Sequence, residues 1–380
     1  MDIGIFFRGT TTPLVKASEF FYMFKNTKFD EFFYTEYNWE LAYYTLIDKH
    51  DIRLEPDFLF DVNFLWDCAN YPDTEFMIKN NPDKLFYELC PINLDHHIPK
   101  KANETYPNLK YLVSEITDEE DCIFDLSLVL NRFIYHKDWN THYYLRDTFK
   151  YIADADKQYR MDYSVYLPFK PNRIKYLRWF YKRYKNLFYS VNTFHIKNIQ
   201  QNDLLDKYDI DLHKQYERMA DMYKEDLGFI LNLPKENLID DFYDGNGGLD
   251  YKINFRKFVN TTIKSDISIL METDNGDDGD MQKNLVTEKT YDLLAIGKPF
   301  IAMNKVTDDF LDKFGFINYK KIKQFKGKNE LQIIDYICKL ADGEYKKLKQ
   351  ELYELANENI KIFDNYIKKN TFIEKIVNGN

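Results

Sequence analysis

Residues 267–303 have the sequence ISILMETDNGDDGDMQKNLVTEKTYDLLAIGKPFIAM, and this stretch decides the class of fold. Its first apolar run, at 267–271, predicts a buried strand, and a polar loop follows. Residues 287–296 have the composition of a helix, and the apolar run at 299–303 predicts the next strand. A strand, a helix and a second strand in this order indicate a parallel sheet with helices on both of its faces.

The same alternation extends over much of the chain. The other predicted strands cover residues 3–7, 84–90, 109–113, 164–169 and 188–191, and the predicted helices cover residues 17–24, 38–48, 173–187, 211–227 and 345–367. Residues 121–130 fit either a strand or a helix.

The length of the chain, 380 residues, exceeds the usual size of one domain, so we expect two. The predicted domains are residues 1–162 and residues 163–342. Residues 343–380 contain a long amphipathic helix, which we expect to pack on the second domain or across both.

The composition limits the classes of function. With 62 acidic and 52 basic residues the formal net charge is −10, which argues against a protein that binds nucleic acid over much of its surface. No apolar run approaches the roughly 18–20 residues that cross a bilayer, and the first residues predict a strand rather than a signal peptide. The cysteines show no metal-ligand spacing, so we expect free thiols and a cytoplasmic protein.

The decisive stretch also contains the candidate site. Glu272 directly follows a predicted strand, and Thr287, Glu288 and Lys289 open the next helix. Ligands of open α/β sheets bind at the carboxyl ends of strands, where the amino ends of helices favour phosphate groups. A lysine there adds positive charge, a glutamate can accept both hydroxyls of a ribose, and Thr287 suits the N-cap position. The same residues also suit an ordinary helix start without a ligand.

Several runs of the sequence resemble one enzyme family. MET at 271–273 and VTEKTY at 286–291 resemble the donor-binding signature of the α-1,3-fucosyltransferases. GKPFI at 297–301 and GF at 315–316 resemble the continuation of that signature in related glycosyltransferases of phages and large viruses. LPFKPNRIKYL at 167–177 is similar to the strand–loop–helix segment of the family, in which Arg173 matches the arginine that meets the donor diphosphate.

The resemblance implies a GT-B fold, with two Rossmann-like domains facing across a cleft and the donor site in the second. It further implies an inverting glycosyltransferase that needs neither cofactor nor metal, with a GDP-sugar as the first expectation for the donor. In such an enzyme Arg173 and Lys289 would neutralise the diphosphate, Glu288 would hold the ribose, and Glu272 would orient the donor or the helix start.

The resemblance also suggests a general base in the first domain. YELCP at 87–91 is similar to a family strand that ends in a glutamate facing the cleft, which makes Glu88 the candidate for deprotonating the acceptor hydroxyl. Three nearby residues are alternatives: Asp95, His96 and His97.

Three other interpretations stay open. Asp278 and Asp280 form a D-x-D triplet with Gly279, the metal-binding pattern of another glycosyltransferase fold, although an Asp- and Gly-rich loop contains such triplets by chance. The acceptor is expected to be a glycan or a small hydroxyl compound, but the basic helix at 173–187 allows modified DNA bases instead. A non-catalytic binding module with the same fold is the third alternative.

Overall fold

The protein is a mixed α/β protein with two sheets of parallel strands. The computed structural model describes residues 3–7, 62–66, 72–89, 106–113, 122–135, 146, 157, 159–165, 171–185, 187–192, 229, 233, 238–239, 264–272 and 286–368. The chain divides into two compact units, of which the first comprises Met1–His136, Asn275–Val286 and Phe363–Asn380, and the second Lys137–Asp274 and Thr287–Ile362.

The first unit contains a sheet whose described strands follow one another in chain order. These elements are β1 (Ile3–Phe7), β2 (Val62–Trp66), α1 (Pro72–Asn80), β3 (Leu85–Leu89), β4 (Leu109–Leu112), β5 (Cys122–Ile123) and α2 (Leu126–Tyr135). Asn108 fixes the turn before β3, because the two protons of its side-chain NH₂ group are shared among the carbonyl groups of Ile78, Asn81 and Lys84.

The second unit contains the other sheet and most of the described helices. Its elements are β6 (Tyr159–Val165), α3 (Pro171–Arg183), β7 (Leu187–Asn192), β8 (Leu238–Ile239), β9 (Ser265–Leu270), α4 (Glu288–Ile296), β10 (Phe300–Ala302), α5 (Lys305–Lys313), the 3-10 turns Tyr319–Lys321 and Lys323–Phe325, α6 (Glu330–Lys339) and α7 (Asp342–Lys368). The last residues of α7 belong to the first unit.

The strand order of the second sheet is β10-β9-β6-β7-β8, with all described pairs parallel. The chain therefore adds β7 and β8 on one side of β6 and then adds β9 and β10 on the other side. This order is compatible with a Rossmann-like unit, and it makes the boundary between β6 and β9 a topological switch point. In open α/β sheets, ligands bind outside the carboxyl ends of the strands at such a point.

The predicted elements of the decisive stretch are confirmed. The helix covers Glu288–Ile296 with Thr287 as its N-cap, and strands precede and follow it at Ser265–Leu270 and Phe300–Ala302. The ambiguous residues 121–130 contain both a short strand and the start of a helix. The predicted helices at 17–24, 38–48 and 211–227 lie outside the described residues.

Two boundaries differ from the prediction. The predicted strand at 164–169 starts too late, since β6 begins at Tyr159, and the predicted domain boundary at 162/163 falls inside this strand. Arg160 and Asp162 interrupt the apolar pattern of β6, and charged residues are unusual in a buried strand. The sequence therefore does not indicate that the strand begins before residue 164. The predicted helix at 345–367 corresponds to α7, and the expectation that residues 343–380 pack on the second domain or across both stays a prediction.

A buried ion pair joins the centre of the second sheet to the end of α4. The Lys298 ammonium lies 2.5 Å from Asp162 Oδ2 and donates a hydrogen bond of 2.9 Å to Ser265 Oγ. The hydroxyl groups of Ser265 and Ser268 both donate to the Asp162 carboxylate. Lys298 is fully buried and Asp162 is 3% exposed. The negative charge of Asp162, which is unusual in a buried strand, is therefore neutralised by the ammonium group of Lys298.

A sharp turn places Lys298 at this position. Gly297 ends α4 with φ of 70°, a left-handed conformation that favours glycine. A Cβ atom at this residue would also overlap the side chain of Ile360 on α7. The turn lets the chain enter β10 directly after the helix, so the GKPFI run is explained by backbone geometry and the ion pair of its lysine.

A second cluster of charges lies between the sheet and α7. Lys349 Nζ is 3.0 Å from Asp266 Oδ1, and Tyr345 donates a hydrogen bond of 2.8 Å to Asp266 Oδ2. Lys157 Nζ lies 3.6 Å from Asp266 Oδ1 and donates to the hydroxyl group of Tyr353 at 2.8 Å. These contacts fasten the long helix to β9 through polar groups.

The position of Lys157 has a consequence for stability. Burial, together with the positive charges of Lys298 and Lys349, lowers the pKa of Lys157 from 10.5 to about 7, although Asp266 opposes the shift. Between pH 7 and about 10 the folded protein has released a proton that the unfolded chain still holds. Because the unfolded state binds more protons in this range, the free energy of unfolding rises with pH.

We expect the free energy of unfolding to increase between pH 7 and pH 9, by at most about 1.4 kcal/mol per pH unit for this one proton. Lys157→Met removes the titrating group, so it should reduce the slope. Urea denaturation at a series of pH values measures this, with Lys347→Met, at an exposed lysine of α7, as the control that keeps the slope. An unchanged slope in Lys157→Met would contradict the assignment.

Candidate functional site

The candidate site lies at the carboxyl ends of β6 and β9, where the amino ends of two helices meet the sheet. α3 follows β6, and α4 begins at Glu288 after the chain has left β9. The Tyr163 hydroxyl group, near the end of β6, shares its one proton between the Arg173 carbonyl oxygen at 3.2 Å and Met271 Sδ at 3.3 Å. This tyrosine therefore ties the first turn of α3 to the end of β9.

Glu272 fixes the start of α4. Its side chain is fully buried directly after β9. Oε1 accepts a hydrogen bond of 3.1 Å from the Thr287 backbone N–H and another from the Thr290 hydroxyl group, and Oε2 accepts one of 2.5 Å from the Thr287 hydroxyl group. Of the two roles expected for Glu272, these contacts support the one at the helix start.

Lys289 lies in the first turn of α4, where the helix dipole is positive. Its side chain is partly exposed, and Nζ donates a hydrogen bond of 3.1 Å to Thr287 Oγ1. Thr287 in turn accepts a capping hydrogen bond from the Lys289 backbone N–H. Glu288 is the first residue of α4. The Thr-Glu-Lys run at 287–289 therefore occupies the helix start that the sequence predicts.

Arg173 belongs to the first turn of α3 and is 3% exposed. Burial raises the pKa of the Tyr163 hydroxyl group above its ordinary value, and the positive charge of Arg173 opposes that rise. Arg173, Glu272, Thr287 and Lys289 all follow the carboxyl ends of β6 and β9, so they belong to the same edge of the second sheet.

Glu88 lies in the first unit, as the fourth residue of the five-residue strand β3. It is 4% exposed and pairs in register with Leu65 of β2 and Tyr111 of β4. Its position near the carboxyl end of the strand agrees with the predicted strand-end acid. The three alternative bases, Asp95, His96 and His97, lie outside the described residues.

Two residues that were not predicted from the sequence, Thr290 and Tyr163, hold the site together. Thr290 donates to Glu272, and its place one turn after the N-cap Thr287 is the signal that could have identified it. Tyr163 lies in β6 and contacts Arg173 of α3 and Met271 directly after β9. No local pattern distinguishes it from the many other tyrosines of the chain.

The described residues contain no group of three or more His, Cys, Asp and Glu side chains that could hold a metal ion. Asp278 and Asp280 lie outside those residues. Cys122 and Cys338 are free thiols. Every helix within the described ranges is too short or too polar to cross a bilayer.

Comparison with known proteins adds little. No protein-family model and no curated protein matches the sequence. Among solved structures, the chain is similar to the N-terminal domain of trehalose-6-phosphate phosphatase from Candida albicans, with 10% sequence identity, a TM-score of 0.42, and coverage of 100% of this chain and 97% of that chain. At this level of similarity, the functional conclusion depends on the geometry of the site.

Proposed function

We propose that the chain is a glycosyltransferase that transfers a sugar from a nucleotide-sugar to a hydroxyl acceptor. The observation that supports the proposal is that Arg173 and Lys289 each lie in the first turn of a helix, and that these helices follow β6 and β9, the strands on either side of the switch point. Two cations and two helix amino ends at one edge suit a diphosphate.

The same residues have defined roles in the proposed reaction. The sugar leaves the donor with its bond to the diphosphate oxygen broken, and Arg173 and Lys289 stabilise the negative charge that develops on that oxygen. Glu288 holds the ribose, and Glu272 positions α4. The proposed arrangement is of the GT-B type, in which Glu88 or a neighbouring base of the first unit removes the proton of the attacking hydroxyl group. This yields a single displacement with inversion.

The test is the binding of nucleoside diphosphates, measured as an increase in melting temperature. We expect one of GDP, UDP, CDP, ADP and TDP to stabilise the protein without Mg²⁺, by about 2.7 kcal/mol at a concentration of 100 times Kd. Lys289→Ala should abolish the increase, because it removes the charge at the start of α4.

Lys305→Ala is the matched control, since Lys305 is an exposed lysine at the first position of α5, the next helix at this edge. It should leave the increase intact. Stabilisation that requires Mg²⁺ would instead implicate Asp278 and Asp280, and stabilisation by none of the nucleotides would favour the non-catalytic binding module.

A further inference from the structure

A cavity of about 330 Å³ opens beside the proposed diphosphate site. It lies at the carboxyl ends of β9 and β10, against α3 and the first turn of α6, and its lining residues are Lys175, Tyr176, Trp179, Met271, Met303, Asn304 and Leu331. Met271 immediately precedes Glu272, and Lys175 is two residues from Arg173. The cavity therefore adjoins the residues to which we assign the phosphates.

The walls of the cavity suit a flat, uncharged ring. Tyr176 and Trp179 are one helical turn apart on α3, and Tyr176 packs one face on Phe180, with ring centroids 6.0 Å apart. Met271 and Met303 complete an apolar surface. A phosphate group would lose its hydration against these side chains, whereas an aromatic ring would gain stacking contacts.

Three side chains at the cavity carry hydrogen-bond donors: Asn304, Lys175 and Trp179. Asn304 is the N-cap residue of α5, yet its side chain makes no capping hydrogen bond. Its Oδ1 instead accepts a hydrogen bond of 2.9 Å from the Thr307 hydroxyl group, which leaves the amide NH₂ as the group available to a ligand. Lys175 and the indole N–H of Trp179 are likewise donors without an acceptor in the described part of the chain.

We propose that this cavity binds the base of the nucleotide and selects bases that carry carbonyl oxygens. The proposal rests on the proposed function, because it assumes that phosphates bind at Arg173 and Lys289. A carbonyl oxygen on the ring edge accepts from the donors of Asn304, Lys175 or Trp179, while the ring stacks on Tyr176. An amino group at the same position would place a donor against donors and leave both unsatisfied.

The volume of the cavity is large enough for a base. Sites for complete small molecules extend over about 300–1,000 Å³, and this cavity lies at the lower end of that range. The ribose and the diphosphate would then lie outside it, toward the amino ends of α3 and α4, where the cations are.

The experiment compares ligands that differ in one group, by isothermal titration calorimetry on the full chain. Inosine diphosphate and ADP differ by a carbonyl against an amino group, and UDP and CDP differ in the same way. The cavity fits either purines or pyrimidines better, and in the better-fitting pair we expect the nucleotide with the carbonyl group to bind about tenfold more tightly than the one with the amino group. Inorganic pyrophosphate serves as the ligand without a base.

Variants of Tyr176 test the stacking. Tyr176→Leu should weaken the preferred nucleoside diphosphate about tenfold and leave pyrophosphate unchanged, because stacking on an aromatic side chain is lost. Tyr176→Phe keeps the ring and should keep the affinity. Lys289→Ala should weaken pyrophosphate and nucleotides alike.

The outcomes separate the two proposals. Equal binding of carbonyl and amino members, or an unchanged affinity in Tyr176→Leu, would overturn the base site while pyrophosphate binding that depends on Lys289 still supports the diphosphate site. If neither pyrophosphate nor any nucleotide binds, the proposed function fails, and the base site fails with it.

Discussion

Replacement of Asp162 by asparagine should lower the free energy of unfolding by about 3–5 kcal/mol, because it leaves the Lys298 ammonium buried without the carboxylate that contacts it. Asparagine keeps the size of the side chain, so the change removes charge and little volume. Lys298 is fully buried, and burial already lowers its pKa. Chemical denaturation of the full chain, monitored by circular dichroism and tryptophan fluorescence, measures the loss.

Two further variants show whether the buried charge is the cause. The double variant Asp162→Asn with Lys298→Met removes both charges, and it should recover much of the stability that Asp162→Asn loses. Asp309→Asn breaks the exposed pair with Lys305, whose side chains are 65% and 86% exposed, and should cost less than about 1 kcal/mol. A loss in Asp162→Asn no greater than that in Asp309→Asn would contradict the role of the pair.

The sequence predicts those parts of the fold whose signals are local. The start of α4 is predictable because a threonine N-cap, acidic and basic first-turn residues and an apolar period lie within ten residues. The strand β6 is mispredicted because Arg160 and Asp162 interrupt its apolar pattern. The partner that neutralises Asp162 is Lys298, 136 positions away in the chain, and no local pattern indicates that contact.

In the candidate site, too, the sequence predicts only the residues whose signals are local. Residue types at strand ends and helix starts lead to Arg173, Thr287 and Lys289, because the topology of a parallel sheet gathers such positions at one edge. The contacts of Tyr163 and the cavity beside Asn304 depend on how α3, α5 and α6 pack on the sheet. Packing of that kind is set by distant side chains, so the sequence alone could not supply it.

Glu272→Gln should lower the free energy of unfolding by roughly 2–4 kcal/mol and also weaken nucleotide binding. The carboxylate accepts hydrogen bonds from Thr287 and Thr290 with both of its oxygen atoms, and an amide of the same size would turn an NH₂ group toward these donors. The first turn of α4 would then lose its anchor to β9. Lys289 lies in that turn, so the proposed diphosphate site should lose affinity together with stability.

The N-cap of α2 provides the comparison for this variant. Asp125 caps α2 through a hydrogen bond of 3.0 Å from the Leu128 backbone N–H, so Asp125→Ala should cost about 1 kcal/mol and leave nucleotide affinity unchanged, because α2 belongs to the first unit. Denaturation and calorimetric titration of both variants, at a temperature where each is folded, separate the two effects. If Glu272→Gln lost stability but bound nucleotides as tightly as the wild type, Glu272 would hold the helix without positioning the site. Equal losses of affinity in both variants would mean that nucleotide binding follows global stability, and the specific link from β9 through Glu272 to Lys289 would be wrong.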